Sequence, residues 1–154
     1  MGGTLLQPAE YDPGKERRNR ILLIVIAVIA LIAVLGALKG PEWVARWKAD
    51  QVVKQFFSAL ESKDFEKAYG IWIADPEWKQ HSQQHQQYGF NQFYVDWGPS
   101  GSWGAIQHFK IDGSAIPERS STSIVVQVTI NDRLADKAQI WVDRRDKTLT
   151  EMPR

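Results

Sequence analysis

The chain has 154 residues, with 19 lysines and arginines against 18 aspartates and glutamates, seven tryptophans and no cysteine. The absence of cysteine excludes disulfides, thiolate metal sites and cysteine nucleophiles. From residue 40 onward the acidic and basic residues nearly balance. This part therefore lacks the basic stripe that phosphate-backbone binding requires, and we expect no nucleic-acid partner.

The first predicted element is an apolar helix. Residues 21–38 form an uninterrupted run without a charged or strongly polar side chain, ILLIVIAVIALIAVLGAL. At about 1.5 Å of rise per residue this run covers roughly 27 Å, close to the hydrocarbon thickness of a bilayer. We therefore predict a transmembrane helix over residues 21–39, in contact with the lipid bilayer. A cleaved signal peptide is disfavoured because its apolar core is usually only about 7–15 residues long.

The charges around this helix predict its orientation. Four basic residues crowd its N-terminal side, at Lys15, Arg17, Arg18 and Arg20, and three more widely spaced ones follow it. The positive-inside rule then predicts a single-pass protein of the cell membrane with a cytoplasmic N-terminus. Residues 1–20 are predicted to be a disordered cytoplasmic tail. Residues 41–154 are predicted to be a domain on the periplasmic or extracellular side.

Three helices are predicted at the start of this domain. Gly40-Pro41 interrupts the chain, and helical spacing of apolar residues predicts a helix that begins at Pro41 and extends to residue 62. Asp64 is the predicted N-cap of a second helix that ends near residue 73. Asp75-Pro76-Glu77 is a helix-start pattern and predicts a third helix that ends near residue 87.

The second half of the domain is predicted to be a sheet. Residues 88–104, rich in glycine and aromatic side chains, are predicted to be a long structured loop. After it the periodicity becomes two, which indicates strands with one buried face, at residues 105–111, 124–130, 138–142 and 148–150. Three helices followed by an antiparallel meander predict an α+β fold with the helices packed on one face of the sheet.

Two segments at the start of the domain resemble a known superfamily. VVKQFFSAL, at residues 52–60, and KDFEKAY, at residues 63–69, are similar to the opening of nuclear transport factor 2-like domains. The resemblance implies a cystatin-like cone, in which a curved antiparallel sheet wraps a long helix around an apolar pocket. That superfamily includes ketosteroid isomerase-like enzymes, dehydratases, non-catalytic ligand binders and partner-binding modules. Its membrane-anchored members also resemble scaffold subunits of type IV secretion systems.

Aromatic side chains are the candidate ligand-pocket residues. They are Tyr88, Phe93, Tyr94, Trp97 and Trp103. Aromatic residues at a pocket mouth stack on apolar ligands. The same residues can equally close the end of the cone as core, and this is the preferred interpretation.

Catalytic and metal-binding patterns are weak. Asp96 and His108 are weak candidates for an acid–base pair, but strand alternation puts His108 on the same face as Lys110, which predicts exposure to solvent. His81 and His85 stand four residues apart, but no third ligand is evident and the segment is polar. A solvated helix face is therefore preferred to a metal site, and neither a metal nor another cofactor is predicted.

The favoured function is that of a membrane-anchored, non-enzymatic accessory domain that binds a partner protein or a small apolar ligand. Two alternatives stay open. One is an isomerase- or dehydratase-type enzyme that uses Asp96 and His108 in a pocket, and the other is a scaffold subunit of an envelope complex. We also predict that Phe56 and Trp72 are buried where the first two helices meet the sheet, because both lie on apolar helix faces.

Overall fold

The computed structural model describes residues 13–118 and 122–152, and the chain divides into two compact units, Met1–Pro41 and Glu42–Arg154. The helices are α1 (Pro13–Glu61), α2 (Phe65–Trp72), a 3-10 helix (Ser82–Tyr88) and α3 (Phe90–Trp97). The strands are β1 (Phe109–Ala115), β2 (Ser123–Ile130), β3 (Ala138–Asp143) and β4 (Leu149–Glu151). The strands form one open antiparallel sheet in the order β1-β2-β3-β4, so the predicted α+β class and the meander are confirmed.

The first unit contains the predicted apolar helix. Arg17–Ala37 is the one stretch of the described residues that is long and apolar enough to cross a membrane, and none of it is buried. Of the predicted tail at residues 1–20, residues 13–20 are helical, and the remainder lies outside the described residues. The stretch therefore has the length and composition of a membrane span.

Pro41 does not begin a new helix, because it lies inside α1. A proline in a helix interior removes one i to i−4 hydrogen bond, at a cost of about 3 kcal/mol or more. The prediction from Gly40-Pro41 weighted this local cost alone. Pro41 lies within α1, so this part of the prediction is wrong.

The second helix is confirmed at its predicted cap. The carboxylate of Asp64 accepts a hydrogen bond of 3.1 Å from the backbone N–H of Lys67, and α2 follows directly. The side chain thus satisfies one of the N–H groups that the first helical turn leaves without a partner. This cap fixes the turn between α1 and α2.

The predicted third helix is wrong in position. Residues 76–80 form turns and Ser82–Tyr88 forms a 3-10 helix with no buried residue, whereas α3 lies in the segment predicted to be a loop. The polar run HSQQHQQ offers no apolar face to pack, although most helical stability in proteins comes from such a face. In α3, Phe90, Phe93 and Trp97 follow helical spacing, and the last two are buried.

The first strand lies about four residues later than predicted. Residues 105–108 are held instead by the side chain of Asn131, whose Oδ1 accepts from the N–H of Gln107 at 2.9 Å and whose Nδ2 donates to the carbonyl of Ala105 at 2.9 Å. These bonds satisfy backbone groups that a strand ladder would otherwise pair. The pairing of β1 with β2 then starts at Phe109, which faces Ile130.

The core lies between the second half of α1, helices α2 and α3, and one face of the sheet. Phe56 is fully buried, and its ring centroid lies 5.1 Å from that of Trp72, 5.0 Å from Trp97 and 6.2 Å from Phe93. Alternate residues of β2 face this cluster, at Ile124, Val126, Val128 and Ile130. The predicted burial of Phe56 and Trp72 is confirmed.

Candidate ligand-binding cleft

A cleft of about 830 Å³ lies in the second unit, between the ends of α2 and α3 and strand β4. Trp72 comes from the end of α2, Asp96 and Trp97 from the end of α3, and Glu151 from β4. Ile73, His85, Tyr88 and Ser100–Ser102 are among its other lining residues. The cleft thus joins residues from three regions of the chain, and its volume is within the roughly 300–1,000 Å³ of small-molecule sites.

Two glycines allow the loop after α3 to fold back and form part of the wall. A Cβ atom at Gly98 would overlap the carbonyl oxygen of Tyr94, and one at Gly101 would overlap the carbonyl oxygen of Asp96. The N–H of Gly101 also donates to the carbonyl of Gly98 at 2.9 Å. The close approach of this loop to the end of α3 therefore requires glycine at both positions.

The apolar wall of the cleft is made of aromatic rings. The centroids of Trp72 and Trp97 lie 5.2 Å apart, and that of Tyr88 lies 6.4 Å from Trp72. Only 8% of Trp72 and 2% of Trp97 is exposed. Phe56 packs against both indoles, and Phe93 packs against that of Trp72, so the core supports the wall.

The indole N–H groups of Trp72 and Trp97 have no acceptor among the described residues, although both side chains are more than nine-tenths buried. Among the described residues, Oδ1 of Asp50 is the only fully enclosed side-chain polar atom that has no hydrogen-bond partner. Both indole nitrogens therefore reach open space, and the cleft is the cavity that these two side chains line. By contrast, Nε1 of Trp103 donates to Glu151 at 2.8 Å.

A hydrogen-bonded pair of acidic and phenolic groups lies beside these indoles. The hydroxyl of Tyr88 donates to Oδ2 of Asp96 at 2.8 Å, and Nε2 of Gln92 donates to Oδ1 at 3.0 Å. Burial raises the pKa of Tyr88 well above its usual range, and the hydrogen bond to Asp96 and the charges of Asp96 and Glu151 raise it further. Tyr88 is therefore a neutral donor, and the cleft is electronegative.

The charges of the lining residues have one predominant sign. The two carboxylates of Asp96 and Glu151 line the cleft, and none of the described lining residues is a lysine or an arginine. His85 is the one lining side chain that can become cationic, and its Nε2 lies 3.1 Å from a carboxylate oxygen of Asp75. The wall therefore favours cationic or hydrogen-bond-donating groups of a ligand over anionic ones.

The carboxylate of Asp75 contacts both histidines of the polar segment. Its Oδ2 lies 2.9 Å from Nδ1 of His81 and 3.1 Å from Nε2 of His85, and its Oδ1 accepts from the N–H of Glu77. Partial burial acts to raise the pKa of Asp75, but the bonds to His85, His81 and Glu77 outweigh it and hold the pKa below its usual range. Among the described residues no group of three or more histidine, aspartate and glutamate side chains is arranged to hold a metal.

The structure distributes the predicted pocket residues over three environments. Tyr88 and Trp97 line the cleft. Phe93 and Trp103 are buried in the core. Tyr94 is 45% exposed, and its ring packs edge-on against Phe65 at 4.9 Å on another surface.

Asp96 and His108 are not partners of each other. Asp96 lies in the cleft with Tyr88 and Gln92. Nε2 of His108 lies 2.8 Å from a carboxylate oxygen of Asp132, and about half of the His108 side chain is exposed. Their action as an acid–base pair stays a prediction.

Sequence reasoning did not identify Glu151 or Trp72 as cleft residues. Trp72 was predicted to be a core residue. Its ring packs on Phe56 in the core and also lines the cleft. Glu151 is the last residue of the three-residue strand β4, and nothing in the local sequence pattern marks it as a cleft residue. The pairing of β4 with β3, in which Glu151 lies opposite Ile140, brings Glu151 to this end of the sheet.

A second cavity, of about 800 Å³, lies near the start of α2. Its lining carries charges of both signs, and Lys79 pairs there with Glu66 at 2.5 Å. This cavity thus has lining charges of both signs, whereas the first cleft has carboxylates without a lysine or arginine among its lining residues. No protein-family model, no curated protein and no solved structure significantly matches this chain.

Proposed function

We propose that this protein is a membrane-anchored, non-enzymatic accessory domain that binds a small ligand in the cleft between α2, α3 and β4. One observation carries the proposal: two deeply buried indoles, those of Trp72 and Trp97, line a cavity of ligand size and have no acceptor for their N–H groups. Because neither nitrogen is fully enclosed, each N–H group can donate to water or to an acceptor on a ligand. Oxygen atoms of a ligand could replace water as the acceptors of these two N–H groups.

Membrane anchoring is supported by the exposed apolar stretch Arg17–Ala37. A helix that is apolar on every face buries those faces in lipid or in another protein. The basic residues before it support an N-terminus in the cytoplasm and a domain on the far side. Trp43 and Trp47 are exposed on α1 a few residues beyond it, where interfacial aromatic residues are expected.

The nuclear transport factor 2-like cone is also part of this proposal. It is supported by the likeness of residues 52–60 and 63–69 to the opening of that superfamily and by the order of helices followed by a meander. Domains of that kind enclose a pocket between helices and a curved sheet. A cleft with walls from α2, α3 and β4 fits this arrangement.

The proposal is tested by ligand screening with the full-length chain in detergent. Thermal unfolding of wild type is measured against a panel of small molecules, and every stabilising compound is re-measured on Trp72→Phe and Trp97→Phe. These variants keep an aromatic ring and lose only the indole N–H and some area. Trp43→Phe, at a position that is 67% exposed, is the matched control.

A ligand present at 100 times its Kd stabilises the folded state by about 2.7 kcal/mol, and this shifts the Tm by several degrees. We expect that shift in wild type and in Trp43→Phe, and a much smaller one in the two cleft variants. Equal shifts in all four proteins would place the ligand elsewhere and contradict the proposal.

The bond between Tyr88 and Asp96 also favours a second candidate, an isomerase- or dehydratase-type enzyme. A carboxylate in a cleft beside a neutral phenol can act as a general base. If wild type converts a cleft ligand and Asp96→Asn abolishes the conversion while still binding the ligand, the enzyme is the correct reading. Binding without conversion supports the accessory domain.

A further inference from the structure

We propose that the ligand of this cleft is a small organic cation, an ammonium or guanidinium compound, that carries an oxygen acceptor close to its charged group. This inference rests on the proposed function and names the class of ligand for the same site. Each part of the ligand corresponds to a different group of the wall. The carboxylates specify the charge, and the two tryptophans specify the acceptor.

The positive charge is specified first by Asp96. Its carboxylate accepts one hydrogen bond from Tyr88 and one from Gln92, whereas an ionised carboxylate offers about four acceptor sites. Two sites therefore stay available to N–H groups of a ligand. Hydrogen bonds between charged partners are shorter and stronger than neutral ones, so an ammonium or guanidinium group is the best match.

The surrounding wall reinforces this preference. Glu151 contributes a second carboxylate to the lining, and the two acids both act on Tyr88 to disfavour its ionised form. The one imidazole in the wall, that of His85, is already bonded to Asp75. An anionic ligand would meet like charges here, and a cationic ligand would meet opposite charges.

The aromatic rings fit the same ligand class. Trp72, Trp97 and Tyr88 form one continuous aromatic wall, with the centroids of neighbouring rings 5.2 and 6.4 Å apart. Of these three rings, that of Tyr88 is half-buried, and an aromatic face attracts a cation within about 6 Å of its centroid. Arg133 already takes such a position over Trp103 elsewhere in the domain, at 5.9 Å.

The oxygen acceptor is specified independently by the two indole N–H groups. Both belong to side chains that are more than nine-tenths buried, and neither has an acceptor among the described residues. A cation alone cannot match them, because ammonium and guanidinium groups only donate. A carbonyl, ester or hydroxyl oxygen near the charge satisfies these donors while the charge faces Asp96.

The experiment uses two matched pairs of probes that differ in charge and preserve shape. The first pair is Nα-acetyl-argininamide and its neutral ureido analogue Nα-acetyl-citrullinamide. The second is N-(2-aminoethyl)acetamide and its uncharged carbon analogue N-propylacetamide. Binding to full-length protein in detergent is measured by isothermal titration calorimetry for wild type, Asp96→Asn and the exposed-site control Asp132→Asn.

We expect the cationic member of at least one pair to bind at least tenfold more tightly than its neutral partner. Asp96→Asn should lower the affinity for the cationic probe at least tenfold, and Asp132→Asn should change it by no more than about twofold. Raising the salt concentration should weaken binding of the cation and leave the neutral probe unaffected. The Tm of each variant without ligand shows whether it is folded.

The possible failures are distinguishable. Binding of both members of a pair with equal affinity, lost in Trp97→Phe, would overturn the cationic ligand and leave the cleft as a binding site. Equal affinity in wild type and folded Asp96→Asn would also overturn it. If none of the four probes binds, the cation assignment fails, and if no compound of the wider screen depends on Trp72 or Trp97, the proposed function fails with it.

Discussion

Tyr88 donates its phenolic hydrogen to Asp96 over 2.8 Å, and this bond links the end of the 3-10 helix to the last turn of α3. The bond closes one side of the cleft and orients the carboxylate beside Trp97. A side chain that looks like a loop aromatic in the sequence thus positions the principal acid of the candidate site.

The loss of this bond is testable through stability. Tyr88→Phe keeps the ring and removes the hydroxyl donor. The partly buried carboxylate oxygen of Asp96 then loses its hydrogen bond from this residue. We expect the free energy of unfolding to fall by about 1–2 kcal/mol, measured by denaturant titration in detergent. Tyr94→Phe is the matched control, since that residue is 45% exposed. Equal losses in both variants would show that the Tyr88 bond contributes nothing specific.

Truncation of a side chain in the aromatic core should lower the free energy of unfolding by a larger amount. Phe56 is fully buried and contacts the rings of Phe57, Trp72, Phe93 and Trp97. Phe56→Ala should therefore cost about 3–5 kcal/mol of unfolding free energy, a large part of the roughly 5–15 kcal/mol available to a domain. Leu134→Ala, at a side chain that is 77% exposed, should change it little. Similar melting temperatures for Phe56→Ala and wild type would contradict the packing of Phe56 among these rings.

Much of this core was predictable from local patterns. The Asp64 cap and the alternation along β2 and β3 each follow from residues within a few positions of one another. Helix α3 was not predictable in this way. Gly89 and Gly98 are typical of loops in the sequence, although in the structure they cap the two ends of α3. The cleft was not predictable either, since Trp72, Asp96 and Glu151 meet only through tertiary packing and strand pairing.

The Asp75 cluster predicts a response to acid. Hydrogen bonds from His85, His81 and Glu77 keep the pKa of Asp75 below its ordinary value of 3.8 despite its partial burial. A carboxylate with a lowered folded-state pKa stabilises the fold above its unfolded-state pKa, and the stabilisation is lost as pH falls through the folded-state value. The relevant range therefore lies from about pH 4 downward.

Asp75→Asn should accordingly be less stable than wild type at pH 7, and the difference should narrow as the pH falls below about 4. Denaturant unfolding at pH 7, 4 and 2.5 measures this directly, and each protein serves as its own reference across pH. A constant difference between the two proteins at all three values would mean that the charge of Asp75 does not contribute through these bonds.

Membrane topology is tested separately from ligand binding. A C-terminal alkaline phosphatase fusion should be active, and a C-terminal fluorescent protein that folds only in the cytoplasm should be dark. Both results follow if the basic residues before the apolar stretch stay in the cytoplasm. The reverse pattern would place the domain inside the cell, and activity released into the soluble fraction would indicate cleavage of the helix as a signal peptide.

The most direct measurement of the central claim is the indole N–H spectrum of ¹⁵N-tryptophan-labelled full-length protein. Single Trp→Phe variants assign the seven indole signals. On addition of a compound that raises the Tm of wild type, we predict that the signals of Trp72 and Trp97 shift and exchange more slowly with water, because the bound ligand replaces water at these N–H groups. The Trp43 signal should stay in place. Unchanged Trp72 and Trp97 signals under saturating ligand would contradict a ligand site in this cleft.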